Sequence, residues 1–157
     1  VSRVRPDEPG VAALLETIEN QRVGCELAGS PLYADLLDAV AGDVAAGGVC
    51  APLLAPLSTA PFGDAVILRF LAAVHLLVLE GEAPSLAAHY PSVGGTPGPG
   101  AGACFVDEVA RHRDRLVGQL ALGVQTNEVG RSVPLLTGYL ELARIGLPLR
   151  ILEVGTS

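Results

Sequence analysis

Glycine and proline decide where this chain can keep a regular backbone, and their spacing leaves room for helices and little else. Gly29, Gly47, Gly48, Gly81 and Gly146 each close a stretch in which apolar residues recur every three or four positions, the interval that gathers them on one side of a helix. Val11, Leu14, Leu15 and Ile18, continued by Arg22 and Cys25, predict a helix from residue 10 to the stop at Gly29. Ser30 as a cap and Pro31 at the first helical position restart it. Leu32, Leu36, Leu37, Val40 and Val44 then line one side as far as Gly47 and Gly48. So short a join predicts an antiparallel helical hairpin.

Pro52, Pro56 and Pro61 interrupt residues 49–62 and leave at most one turn around 51–57. A third and longest helix is expected over 63–81, apolar on nearly every side and therefore central, followed by a short turn over 84–90. Residues 92–103 read SVGGTPGPGAGA. Their Gly98-x-Gly100-x-Gly102 spacing matches a nucleotide loop, but no strand precedes it, Pro97 and Pro99 interrupt it and no Gly-Lys-Ser or Gly-Lys-Thr follows, so a mobile surface linker is expected. A fourth helix over 105–122 should turn Val106, Val109, Leu116, Val117 and Leu120 inward and Asp107, Arg111, Asp114 and Arg115 outward. In the last, Val133, Leu136, Leu140 and Ala143 form a stripe that Leu135, Tyr139 and Leu142 widen, and Gly146 and Pro148 end it. Residues 149–154 then read as one short buried strand turning at Gly155.

The expected fold is thus an all-α bundle of about five helices that ends in one short strand, unpaired or paired only with another copy. Residues 1–9 form a loose arm, 10–148 the helical domain, and 149–157 a strand and glycine turn cut short.

Composition bounds the function. Ten basic residues, every one of them Arg, face 17 acids for a formal net charge of −7, which makes nucleic acid a poor partner. Cys25, Cys50 and Cys104 are odd in number and form no Cys-x-x-Cys pair, so neither a disulfide framework nor a zinc site is expected. No apolar core of signal-peptide type follows Arg3 and Arg5, and the most apolar run, 65–79, is broken by Arg69 and His75. It is shorter than the ~20 residues that span a bilayer, so the expectation is a cytoplasmic protein without membrane contact. A mean hydropathy of +0.46 is high for a chain with so few aromatic residues, and implies apolar surface that meets another surface.

Few residues carry a chemical signal. Arg111, His112, Arg113 and Arg115 could hold an anion, yet Asp107 and Glu108 stand four positions before Arg111 and His112, so solvated helix pairs explain the cluster better. Asn127, Glu128 and Arg131 precede the last helix. They suit a capping network and equally a substrate-binding edge. His75 has no Asp or Glu in the turn before it and reads as a core or interface histidine. No serine elbow, His-Glu-x-x-His or catalytic carboxylate pair is present, so no catalytic residue and no metal ligand is assigned.

Arg150-Ile151-Leu152-Glu153-Val154-Gly155 resembles the first strand and turn of class I S-adenosylmethionine-dependent methyltransferases, in which an apolar strand and an acid lead into Gly-x-Gly-x-Gly. Ser157 departs from that pattern where the second Gly would fall. Val124-Gln125-Thr126-Asn127-Glu128-Val129-Gly130-Arg131, Gly146-Leu147-Pro148-Leu149-Arg150 and Leu152-Glu153 are similar to the bacterial domain-of-unknown-function family numbered 2332, as are Gly29-Ser30-Pro31-Leu32-Tyr33, His89-Tyr90-Pro91-Ser92 and Gly94-Gly95. The resemblance implies the helical amino-terminal region of a methyltransferase-like protein whose strand would begin a Rossmann-like sheet. Glu153 and Gly155 would then lie at an S-adenosylmethionine site of the full-length protein, and Asn127, Glu128 and Arg131 beside the substrate. This chain alone is expected to be inactive, to bind no S-adenosylmethionine and to form a homo-oligomer. The other readings are a helical interaction or oligomerisation module without catalytic activity, and a small-ligand binding bundle that the hydropathy alone supports.

Overall fold

The computed structural model describes residues 9–57, 65–122, 132–148 and 150. The chain divides into two compact units, Val1–Gly123 and Val124–Ser157. Among the described residues the structure is all-helical, with eight α-helices and two 3-10 turns. The expectation of five helices is corrected, because short proline-started turns and a break in the fourth helix add to the count.

In the first unit, α1 (Pro9–Leu27) and α2 (Pro31–Ala45) form the expected hairpin and share the largest interhelical contact. Val11, Leu14 and Ile18 of α1 and Leu36, Leu37 and Val40 of α2 are all buried in one hydrophobic core. Gly29, at φ 72°, makes the join: its N–H donates to the Glu26 carbonyl, and the Ser30 N–H reaches back to Cys25 at 2.8 Å. This left-handed closure spends the free carbonyls at the helix end without the steric cost that a Cβ would bring. Ser30 is not the expected cap. Its side chain makes no capping bond, and Pro31 alone marks the start.

Cys50 leads into α3 (Ala51–Leu54) and a 3-10 turn (Ala55–Leu57), the single turn that the prolines allow. Next, α4 (Val66–Leu79) is shorter than expected and, at 14 residues against 19 for α1, is not the longest helix. It cannot continue back through Ala65, whose φ of 48° is left-handed. Nor is it enclosed all round, since Leu68, Leu76 and Leu79 are exposed while Phe70, Val74 and Leu77 are fully buried. The most heavily packed helix is α2, which α1 and α6 both cover.

After α5 (Pro84–Ala87) and a 3-10 turn (Pro91–Val93), α6 (Ala101–Arg111) and α7 (Arg113–Leu120) replace the single expected helix. They part at His112, at φ −106° and ψ 20°. A straight helix could not serve both ends: α6 packs on α2, whereas α7 packs on α4, where Arg115 pairs with Glu80 and Glu82. The expected inward face shifts accordingly, for Val109, Leu116 and Leu120 are buried while Val117 is exposed. Phe105 of α6 meets Phe70 of α4 edge to face at 5.4 Å.

The helix α6 also begins inside the stretch expected to be a linker. Gly102 lies in its first turn against α2, where a Cβ would stand 2.6 Å from Ala39 Cβ. The glycine is there for close helix contact.

The second unit contains α8 (Ser132–Ala143), and its stop at Gly146, at φ 71°, is the expected one. Every residue of α8 is exposed. The strand expected over 149–154 lies outside the described residues except for Arg150, and residues 1–8 of the expected arm lie outside them too.

Candidate functional site

Three elements of the first unit deliver polar side chains to one place. Tyr33 comes from the first turn of α2, His75 from the middle of α4, and Tyr90 and Ser92 from the segment that follows α5. His75 Nδ1 lies 3.1 Å from Tyr33 Oη, and His75 Nε2 lies 2.8 Å from Ser92 Oγ. The Tyr90 ring lies against the imidazole at 4.8 Å, tilted by 36°, and takes Tyr33 edge to face at 6.0 Å. The imidazole is therefore held at both nitrogens and on one face.

Backbone bonds fix the segment that carries Ser92. Gly95 N–H donates to the Tyr90 carbonyl at 2.9 Å and Thr96 N–H to the Ala88 carbonyl at 2.8 Å, so the turn folds back on the end of α5. Gly95 makes this possible, since a Cβ there would stand 2.6 Å from the Ala88 carbonyl carbon.

Burial shapes the titration of the cluster. It lowers the His75 pKa from its ordinary value of 6.5, because an imidazolium loses hydration there. Burial also raises Tyr33, with Cys25 adding to the effect, and raises Tyr90 strongly, with Tyr33 adding to it. At neutral pH the site is thus two phenols, a neutral imidazole and a hydroxyl. Tyr90 Oη is buried with no hydrogen-bond partner among the described residues.

Elsewhere the polar groups serve the scaffold. Glu108, only 1 % exposed, accepts from Arg111 at 2.7 Å, and His112 Nε2 lies 3.4 Å from its other oxygen. With Arg115 on Glu80 and Glu82, and Arg113 3.9 Å from Asp114, each member of the basic cluster has a carboxylate neighbour. Carboxylate pairing accounts for the cluster: Glu108 with His112 is an expected pair, whereas Arg111 takes the buried Glu108 in place of Asp107 and Arg115 reaches Glu80 and Glu82. Cys50 is buried and its N–H donates to Asp43 Oδ2 at 2.7 Å. Burial first, and then that carboxylate, push the thiol far up, which removes it as a nucleophile. No group of three or more His, Cys, Asp or Glu able to hold a metal occurs among the described residues, where all three cysteines are free. A cleft of about 410 Å³ opens beside Pro31, Asp35 and residues 97–102.

The residues expected at a cofactor or substrate site, Glu153 and Gly155 with Asn127, Glu128 and Arg131, lie outside the described residues. What sequence reasoning missed is the His75 cluster. Its members stand 42 and 17 positions apart, so no local spacing joins them. The signals were His75 itself, a polar residue in a strongly apolar helix, and the family-like segments that contain Tyr33, Tyr90 and Ser92, but nothing in the sequence joined them.

No helix among the described residues is long and apolar enough to cross a membrane. No curated protein and no solved structure matches the chain. The family described as "Uncharacterized protein conserved in bacteria (DUF2332)" matches it over residues 16–157. That is most of its length, and the chain belongs to this family.

Proposed function

We propose that this chain is the helical amino-terminal region of a methyltransferase-like protein, without methyltransferase activity by itself, whose complete form uses S-adenosylmethionine. The observation that supports it is α8. Val133, Leu136 and Leu140 are 66 %, 57 % and 60 % exposed, and a helix so apolar is stable only under a covering layer. The sequence after it, Leu149 to Gly155, has the order of apolar run, acid and glycine that resembles the start of such a sheet. On this reading Glu153 and Gly155 contact the cofactor, while Asn127, Glu128 and Arg131 line the substrate side. Calorimetry with millimolar S-adenosylmethionine tests it: no heat of binding for the 157-residue chain, and saturable binding for the product of the complete reading frame. Saturable binding by the short chain, or none by the complete product, overturns it.

The same exposed face favours a second reading, a helical oligomerisation module in which α8 is covered by another copy. Burying each 100 Å² of apolar surface contributes roughly 2.5 kcal/mol before association costs. Sedimentation at micromolar concentration should give a dimer that reverts to monomer, helicity retained, when Leu136 and Leu140 become Asp. A monodisperse 16.0 kDa species from the unaltered chain rules this out.

A further inference from the structure

We infer that Ser92 is a nucleophile, activated by His75 and aligned through Tyr33, that accepts acyl or phosphonyl groups from small activated esters. The warrant is the order of the three side chains. A hydroxyl becomes a useful nucleophile when a base stands within hydrogen-bond reach and a third group fixes that base. Ser92 Oγ, at 2.8 Å from His75 Nε2, meets the first condition, and Tyr33 Oη, at 3.1 Å from Nδ1, meets the second. With the Nδ1 proton donated to the phenolic oxygen, the Nε2 lone pair faces the Ser92 proton. Tyr90, packed on the imidazole at 4.8 Å, keeps the ring in that plane. Ser92 itself is exposed, so an electrophile can reach it.

The surroundings set the substrate class. The N–H groups of Val93, Gly94, Gly95 and Thr96 are all committed to carbonyls of the same turn or of α5, so none of these four amides can stabilise an oxyanion. An oxyanion-hole donor is worth about 10²–10³ in rate, and without these four the leaving group must supply the driving force. Esters, thioesters and fluorophosphonates with stable leaving anions are therefore favoured over amides. As Ser92 Oγ bonds to the acyl carbon, its proton passes to Nε2 and the bond to the leaving group breaks. The leaving group takes that proton, or departs as an anion while His75 passes the proton to solvent, and either route restores neutral His75. Water, deprotonated by His75, then releases the acid and frees Ser92. No other reactant is needed.

The experiment uses the 157-residue chain with a fluorophosphonate probe and with p-nitrophenyl acetate, read by intact mass and peptide mapping. A single adduct on Ser92 is expected, absent in Ser92→Ala and formed about 100-fold more slowly in His75→Gln. Tyr33 is a positioning residue. Tyr33→Phe should slow acylation about tenfold and move the acid limb of the rate profile to lower pH, because the imidazolium loses the acceptor of its Nδ1 proton. In the unaltered chain the rate should hold through neutral pH and fall only below 6.5, the ordinary imidazole value. No adduct, an adduct undiminished in Ser92→Ala, or His75→Gln reacting as fast as the unaltered chain overturns the assignment. Should His75→Gln fail to fold, Tyr33→Phe reacting as fast as the unaltered chain does the same.

Discussion

A single imidazole ties α2, α4 and the turn after α5 together, which makes His75 the residue through which acid should loosen the first unit. Its folded pKa is lowered by burial, so between the folded and unfolded values the unfolded chain binds the extra proton. Stability is then unaffected above the unfolded value near 6.5, declines as pH falls through it, and levels off once pH is below the folded value. Urea midpoints measured between pH 5 and 8 for the unaltered chain and for His75→Gln should show a shallower acid decline in the variant. Parallel curves would mean that the histidine titrates alike in both states. The residue was visible in the sequence as a polar exception on an apolar helix, and Tyr33, Tyr90 and Ser92 stood out in family-like segments, but their meeting was not visible. Tyr33 and Ser92 meet His75 only because the fold brings the start of α2 and the 3-10 turn within reach of α4.

At the scale of elements, closeness between α2 and α6 depends on having no side chain at Gly102. Gly102→Ala should destabilise the chain by about 1–3 kcal/mol, since the new Cβ would stand 2.6 Å from Ala39 Cβ. Adding Ala39→Gly should recover part of that loss in a thermal melt, which strain confined to α6 would not allow. This contact also shows what the sequence could and could not reveal. The ends of α1, α2 and α8 followed from apolar periodicity closed by Gly29, Gly47 and Gly146, because local hydrogen bonding decides them. The start of α6 did not, because Gly98, Gly100 and Gly102 carry the composition of a linker, and only the neighbouring helix gives Gly102 its use. The break at His112 was hidden for the same reason. No Gly or Pro marks it, and the need to pack on two different helices produces it.

For the whole molecule, the division into two compact units predicts that residues 1–123 fold without the remainder. That fragment should melt cooperatively by circular dichroism, within a few degrees of the main transition of the full chain. Loss of its helical signal at room temperature would mean that the second unit is required. The helical core around Leu36, Phe70, Phe105 and Leu116, all fully buried, is the reason to expect independence. The cluster around His75 gives the molecule an optical property as well. With no Trp and only three Tyr in the chain, its ultraviolet emission comes from Tyr33, Tyr90 and Tyr139. Two of these chromophores border the imidazole, and the third sits 40 % exposed on α8. Replacing Tyr139 with Phe would leave a protein whose fluorescence originates wholly at the His75 cluster, an intrinsic reporter that needs no attached dye.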